Sequence, residues 1–302
     1  MEYRKTIIFL MFAIFIFSFT TVSASDMNDT AIDSDDTSQM ELSASNEMDA
    51  DNLKLSEENT TITYANNVES VSGKIDSAVM GADTGTYSGL SEEIGHGGNI
   101  ELKHAYYTYD TGENIEITVD NSVIDGKGAV IDMAGSYVRA FYVSGSGVII
   151  KNLTIKNSKY KFNRGGAIYF NYPGTVTNCN FTDNDVFNGG AIWFSNTGNV
   201  TNCNFINNHA YADGGAIYCS DMLNIKNCLF DSNQVKGSKF QCYGGAIRAK
   251  STMVDNSTFI NNCAEDYGGA IYADSLTFAN TPCYFIGNVA KDNQGGAIYA
   301  DK

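Results

Sequence analysis

The tetrapeptide Gly-Gly-Ala-Ile occurs six times in this chain, at 165–168, 189–192, 214–217, 244–247, 268–271 and 295–298, at intervals of about 24 to 30 residues. A second motif falls between the copies at a fixed phase: Asn178-Cys179-Asn180-Phe181-Thr182-Asp183-Asn184, with counterparts around Phe205, Phe230, Phe259 and Phe285. Recurrence at this period marks stacked units, none of which can bury its apolar side chains alone. The runs between motifs have strand patterning and no helical periodicity. Such a unit buries itself only by coiling, so that each strand hydrogen-bonds to the equivalent strand one coil on. The repeat therefore predicts an all-β protein, a right-handed parallel β-helix over 85–302, with coils about 4.8 Å apart and like residues stacked upon like.

Column composition then says which way side chains point. In the Gly-Gly-Ala-Ile strand the fourth place is always Ile, and the sixth is Phe170, Phe194, Cys219, Ala249, Ala273 or Ala300, so these face inward. The fifth place holds Tyr169, Trp193, Tyr218, Arg248, Tyr272 and Tyr299, and a charged member in alternation with buried ones places that column outside. The third-place alanines, by the same alternation, are expected outside as a smooth strip beside the rings. Phe181, Phe205, Phe230, Phe259 and Phe285 are expected to form an inward stack, each burial contributing roughly 1.5 to 3 kcal/mol. Asn178, Asn202, Asn227 and Asn256, and again Asn184, Asn208, Asn233, Asn262 and Asn288, fall at bends, where stacked amides can satisfy bend carbonyls.

Upstream, Ile115 to Val119, Val123 to Asp132 and Val148 to Ile155 alternate with period two and end in Gly, Asn or Asp, as strands bounded by turns do. Before them Leu90 and Ile94 share one helical face within 87–94, which reads as a short N-terminal cap over the end of the stack. Residues 25–84 read as an acidic spacer with eleven acids and one base up to Thr63, too polar to offset its ordering entropy. At the very start Arg4 and Lys5 precede an apolar run, and Val22-Ser23-Ala24 offers small residues, so 1–24 reads as a signal peptide and leaves no membrane span in the mature chain. The formal charge of -16 repels phosphate backbones, which argues against a nucleic-acid partner.

The chemistry-bearing residues are sparse. Seven cysteines in an exported chain invite disulfides, yet Cys179, Cys203, Cys228 and Cys283 share one inward column with Ser257, and stacked side chains point the same way. Buried free thiols fit that column better, and Cys242 with Cys263 is the pair to inspect for a bridge. His96 precedes the coils, while His104 and His209 show no partner in the sequence. Asp183, Asp185, Asp231 and Asp266 read as solvated turn carboxylates. No catalytic residue, metal set or cofactor is assigned. Six Asn-x-Ser/Thr triplets begin at Asn28, Asn59, Asn152, Asn180, Asn199 and Asn256, with glycosylation favoured on the spacer.

The paired Gly-Gly-Ala-Ile and Phe-x-x-Asn motifs resemble those of the chlamydial polymorphic outer membrane proteins. The passage from Val123-Ile124-Asp125-Gly126 through Arg139-Ala140-Phe141-Tyr142-Val143 and Ile150 to Ile155 to Gly165-Gly166-Ala167-Ile168-Tyr169 is similar to adhesin-like surface proteins of methanogenic archaea. The resemblance implies a pectate-lyase-like solenoid, export, and attachment to cell-surface glycans or proteins of other cells, with no defined catalytic residues. The outward ladder Tyr169, Trp193, Tyr218, Arg248, Tyr272 and Tyr299 is the expected binding face, since large aromatic strips usually mean contact. Two rivals stay open: a polysaccharide lyase, hydrolase or epimerase of β-helix type, and a passive wall component whose rings only stabilise one another.

Overall fold

A computed structural model of the chain describes residues 83–237, 241–279 and 281–301. The expected signal peptide and nearly all of the acidic spacer lie outside them. The fold is a right-handed parallel β-solenoid of about eight coils, with one short helix among the described residues. Every strand pairing is parallel, and equivalent residues meet in register: Gly174 with Gly198, Asn180 with Asn204, Ile192 with Ile168 and Ile217. A coil in the repeat region runs through four short strands, exemplified by Ile168–Phe170, Gly174–Thr177, Asn180–Thr182 and Asp185–Asn188. The last of these belongs to a separate six-stranded sheet. The first strand among the described residues, Thr84–Thr86, includes the last residue of the expected spacer and pairs with Tyr106–Thr108.

The helix Tyr87–Ile94 is where the spacing of Leu90 and Ile94 placed it, and Tyr87, Leu90 and Ile94 are its buried residues. Thr86 caps it, its side chain accepting from the Gly89 amide at 3.1 Å. The Tyr87 hydroxyl donates to the Ala140 carbonyl and accepts from the Ile115 amide, fixing the cap to the first coils. Burial raises that phenol far above its ordinary value, so it stays a donor.

Down the interior the phenylalanines stack as expected. Phe181, Phe205, Phe230 and Phe259 are fully buried with successive centroids 4.7 to 5.0 Å apart and nearly parallel rings. The asparagines form two ladders of different character. Asn152, Asn178, Asn202, Asn227 and Asn256 adopt φ between 42° and 56°, the left-handed region that Asn tolerates, and their amides bond one another on the outside. They leave the bend carbonyls alone, contrary to expectation. Those carbonyls are served by the inner ladder of Asn184, Asn208, Asn233, Asn262 and Asn288; Asn208 Nδ2, for instance, donates to the Phe181 carbonyl and to Asn233 Oδ1.

The alanines overturn one expectation. Ala167, Ala191, Ala216, Ala246 and Ala270 are fully buried in the core, not outside. The amides of Ala167 and Ile168 both donate to the Ala191 carbonyl, a bulge repeated at every corner, and a bulge turns two successive side chains to the same side. Both glycines ahead of it are required for different reasons. Gly189 sits at φ 66°, while a Cβ on Gly190 would lie 1.9 Å from the Gly215 carbonyl oxygen of the next coil. The thiols are free, and Cys242 and Cys263 form no bridge: Cys242 is buried with its Sγ 3.2 Å from the Gly237 amide.

Candidate binding face

The structure brings all six expected ladder residues into one column. Tyr169 pairs with Trp193, Trp193 with Tyr218, Tyr218 with Arg248, Arg248 with Tyr272, and Tyr272 with Tyr299. The column extends further toward the N-terminus, where Tyr142 stacks on Tyr169 at 5.3 Å and Glu116 precedes it. Tyr142 falls outside the repeat motif because its coil carries Val138-Arg139-Ala140-Phe141 where later coils have Gly-Gly-Ala-Ile. The signal was there in Ala140-Phe141-Tyr142, an Ala-Ile-Tyr with one apolar exchange.

The rings are not an open aromatic floor. Trp193 lies 3.8 Å from Tyr218 with near-parallel planes and is only 4% exposed. Ring faces are occupied by ring neighbours above and below, which leaves edges and phenol hydroxyls toward the outside. Ser195 ties two members together, accepting from Trp193 Nε1 at 3.1 Å and donating to the Tyr169 hydroxyl at 2.8 Å. Guanidinium groups press on the stack: Arg139 lies 5.0 Å from the Tyr169 centroid, Arg164 4.5 Å from Trp193 and Arg248 4.4 Å from Tyr272. Arg248 also pairs with Asp274 at 3.1 Å.

A second column, which the sequence did not reveal, runs beside the first. It consists of the residues just before the first five Gly-Gly pairs: Arg164, Asn188, Asp213, Tyr243 and Tyr267, which are in register from coil to coil. Its members lean onto the ladder, for Tyr243 lies 4.6 Å from Tyr272, and Tyr267 lies 5.2 Å from Tyr299. The two columns lie side by side along the solenoid with their side chains in contact. In the second column Asp213 is pushed up to about 6, chiefly by burial, with the Arg248 charge opposing the rise. Burial also pushes the Tyr218, Tyr243 and Tyr272 phenols up, so they remain protonated donors.

Elsewhere the structure supplies partners the sequence did not show. His209 Nδ1 is 2.9 Å from Asp185 Oδ1, one coil below in the same register, and His104 Nδ1 is 2.7 Å from Asp83. Of the triplet asparagines on the coils, Asn152, Asn180 and Asn256 each commit the amide nitrogen to a hydrogen bond. No helix among the described residues is long and apolar enough to cross a membrane.

The chain's similarity to known proteins accords with this geometry. A Chlamydia polymorphic membrane protein repeat matches residues 282–301, the segment of the last Phe-x-x-Asn and Gly-Gly-Ala-Ile motifs. No curated protein and no solved structure matches. The family model for the right handed beta helix region matches residues 105–289, more than half of the chain and nearly all of its stacked coils. The chain thus belongs to the right-handed β-helix family.

Proposed function

We propose that this protein is a surface-displayed, adhesin-like binding scaffold that holds glycans or proteins of partner cells along the outward column Tyr142, Tyr169, Trp193, Tyr218, Arg248, Tyr272 and Tyr299. The observation that carries this reading is the straight outward column itself: rings whose edges and hydroxyls repeat at the coil spacing, walled by a second polar and aromatic column. The repeat shared with Chlamydia polymorphic membrane proteins supports display at a cell surface. Because hydroxyls and edges face the ligand, the sharpest test is the quadruple change Tyr169→Phe, Tyr218→Phe, Tyr272→Phe and Tyr299→Phe, which keeps the stack. Attachment of the purified protein to cells or a glycan array should fall at least tenfold at an unchanged melting temperature. Undiminished attachment refutes the face.

A second reading, a polysaccharide-processing enzyme, is favoured by the Asp213 carboxyl of the second column, raised to about 6 by burial and so within the range useful for proton transfer. Release of sugar products from neutral or acidic polysaccharides by the native protein, and none by Asp213→Asn, would establish it.

A further inference from the structure

Three buried thiols stand one above another in the core without a bridge. Cys179, Cys203 and Cys228 hold the same place in successive coils, just ahead of Asn180, Asn204 and Leu229, which pair in register. Each sulfur takes the same setting. Its thiol donates to the carbonyl two residues earlier, of Thr177, Thr201 or Lys226, at 3.2 Å in every case. It also lies 3.6 to 3.8 Å from a carbonyl of the coil before, of Ile150, Val176 or Val200. One setting repeated in register carries each sulfur onto the next by the coil translation, so the sulfurs follow one another about 4.8 Å apart along the solenoid. A disulfide, with sulfurs about 2 Å apart, does not fit that step. Ser257 takes the next place in the column, and Cys283 the one after it.

Two metal–thiolate bonds of about 2.2 to 2.4 Å laid end to end do fit it. Among the described residues no three histidine, cysteine or carboxylate side chains converge into a cage. A line of sulfurs offers two donors at a time, which suits neither tetrahedral zinc nor an oxygen-seeking cation, but suits a soft ion that binds two thiolates in a row. We infer that Cys179, Cys203 and Cys228 form a linear site for a soft monovalent cation, copper(I) or silver(I), with one ion between each pair of successive sulfurs. Burial, and contact with the Cys179 and Cys228 thiols, holds the Cys203 thiol well above its ordinary range, so the metal-free column is protonated. Each ion therefore displaces one proton. Two ions in the two gaps leave two thiolates and one thiol, and the core gains no net charge. The Cys179 amide donates to Cys203 Sγ at 3.4 Å and so supports the thiolate form of the middle sulfur. The ions enter as the coils close, as structural ions do, and need no path through the finished core. This site stands apart from the outward column and does not rest on the proposed binding role.

The test refolds the full chain from urea under nitrogen, with ascorbate and either copper(I) or zinc, and counts the metal retained after gel filtration against a chelator. The native chain should retain about two copper ions and no zinc, with two sulfurs around each copper by X-ray absorption. Copper should raise its melting temperature by at least about 5 °C. Cys203→Ser should retain no copper and show no such rise, Cys179→Ser should retain about one ion, and Cys283→Ser should match the native chain. Cys203→Ser keeps the fold, because Ser257 already stands in this column and its Oγ accepts from the Cys228 amide at 3.0 Å, as Cys203 Sγ accepts from the Cys179 amide. Cys179→Ser gives the same reading independently, since it opens the first gap alone. Copper retained equally by Cys203→Ser, three sulfurs around each ion, or a native chain that retains no copper would each overturn the site.

Discussion

Replacing Asn208 by leucine removes a side chain that is fully buried and makes four hydrogen bonds. Its Nδ2 donates to the Phe181 carbonyl at 3.0 Å and to Asn233 Oδ1 at 2.9 Å, and its Oδ1 accepts from the Asn184 amide at 3.2 Å and from Asn184 Nδ2 at 3.0 Å. Leucine has the same heavy-atom branching, so no cavity complicates the outcome. Three of the four partners keep other bonds: Asn233 Oδ1 still accepts from the Asn208 backbone amide, Asn184 Nδ2 still donates to Ile155, and the Phe181 carbonyl stays in the parallel ladder with the next coil. The Asn184 amide is left bare. A buried orphan costs about 1 to 3 kcal/mol and each further lost bond about 1 kcal/mol, and the apolar gain from leucine returns part of that. The net loss should be about 1 to 3 kcal/mol. Urea denaturation followed by far-UV circular dichroism and by fluorescence of Trp193, the only tryptophan, measures it. Hydrogen exchange should localise the weakening to the coils on either side, since each coil contacts only its neighbours. A midpoint unchanged within about 0.5 kcal/mol would show that the amide column does not hold the bend.

Gly190→Ala should prevent soluble folding or cost well over 3 kcal/mol, because its Cβ would meet the Gly215 carbonyl oxygen at 1.9 Å; expression and melting of the variant decide this. In the folded protein Cys179, Cys203 and Cys228 should resist a maleimide while Cys263 and Cys283 react, since the first three are buried and the last two partly exposed. Asp213 gives a pH dependence of definite sign. Its carboxyl is raised from 3.8 to about 6 on folding, so its stabilising share is complete below about pH 4 and is lost as pH rises through 6; Asp213→Asn should therefore be the more stable protein at pH 8 by about 1 to 3 kcal/mol and show no advantage at pH 4, by thermal melts.

The solenoid was legible because stacking converts sequence recurrence into spatial columns. Phe181, Phe205 and Phe230 could be placed without coordinates, since only one side of a coil accepts a phenylalanine in every turn. Alternation failed at Ala167 and its equivalents because period two holds only while the ladder is regular. The shared Ala191 carbonyl shows a bulge that no residue type announces. The neighbouring column of Arg164, Asn188 and Asp213 escaped for the opposite reason: its composition varies from coil to coil, and its only constant is its position before Gly-Gly. His209 and Asp185 likewise lie 24 residues apart and meet only because one coil separates them.

The same contrast bears on where function resides. The interior columns of asparagines and phenylalanines close their own hydrogen bonds and contacts from coil to coil, and so have nothing to offer a ligand. A column whose residues change cannot satisfy itself by stacking like on like. Arg164, Asn188 and Asp213 stand in such a column, and it is there that an acceptor is orphaned and a carboxyl is held at the cost of stability. Exchange at such exceptions adds stability, so they are the places where stability and contact with the proposed partner surface can be separated. If Asp213→Asn raised stability and left attachment to cells and glycans untouched, that reasoning would lose its support.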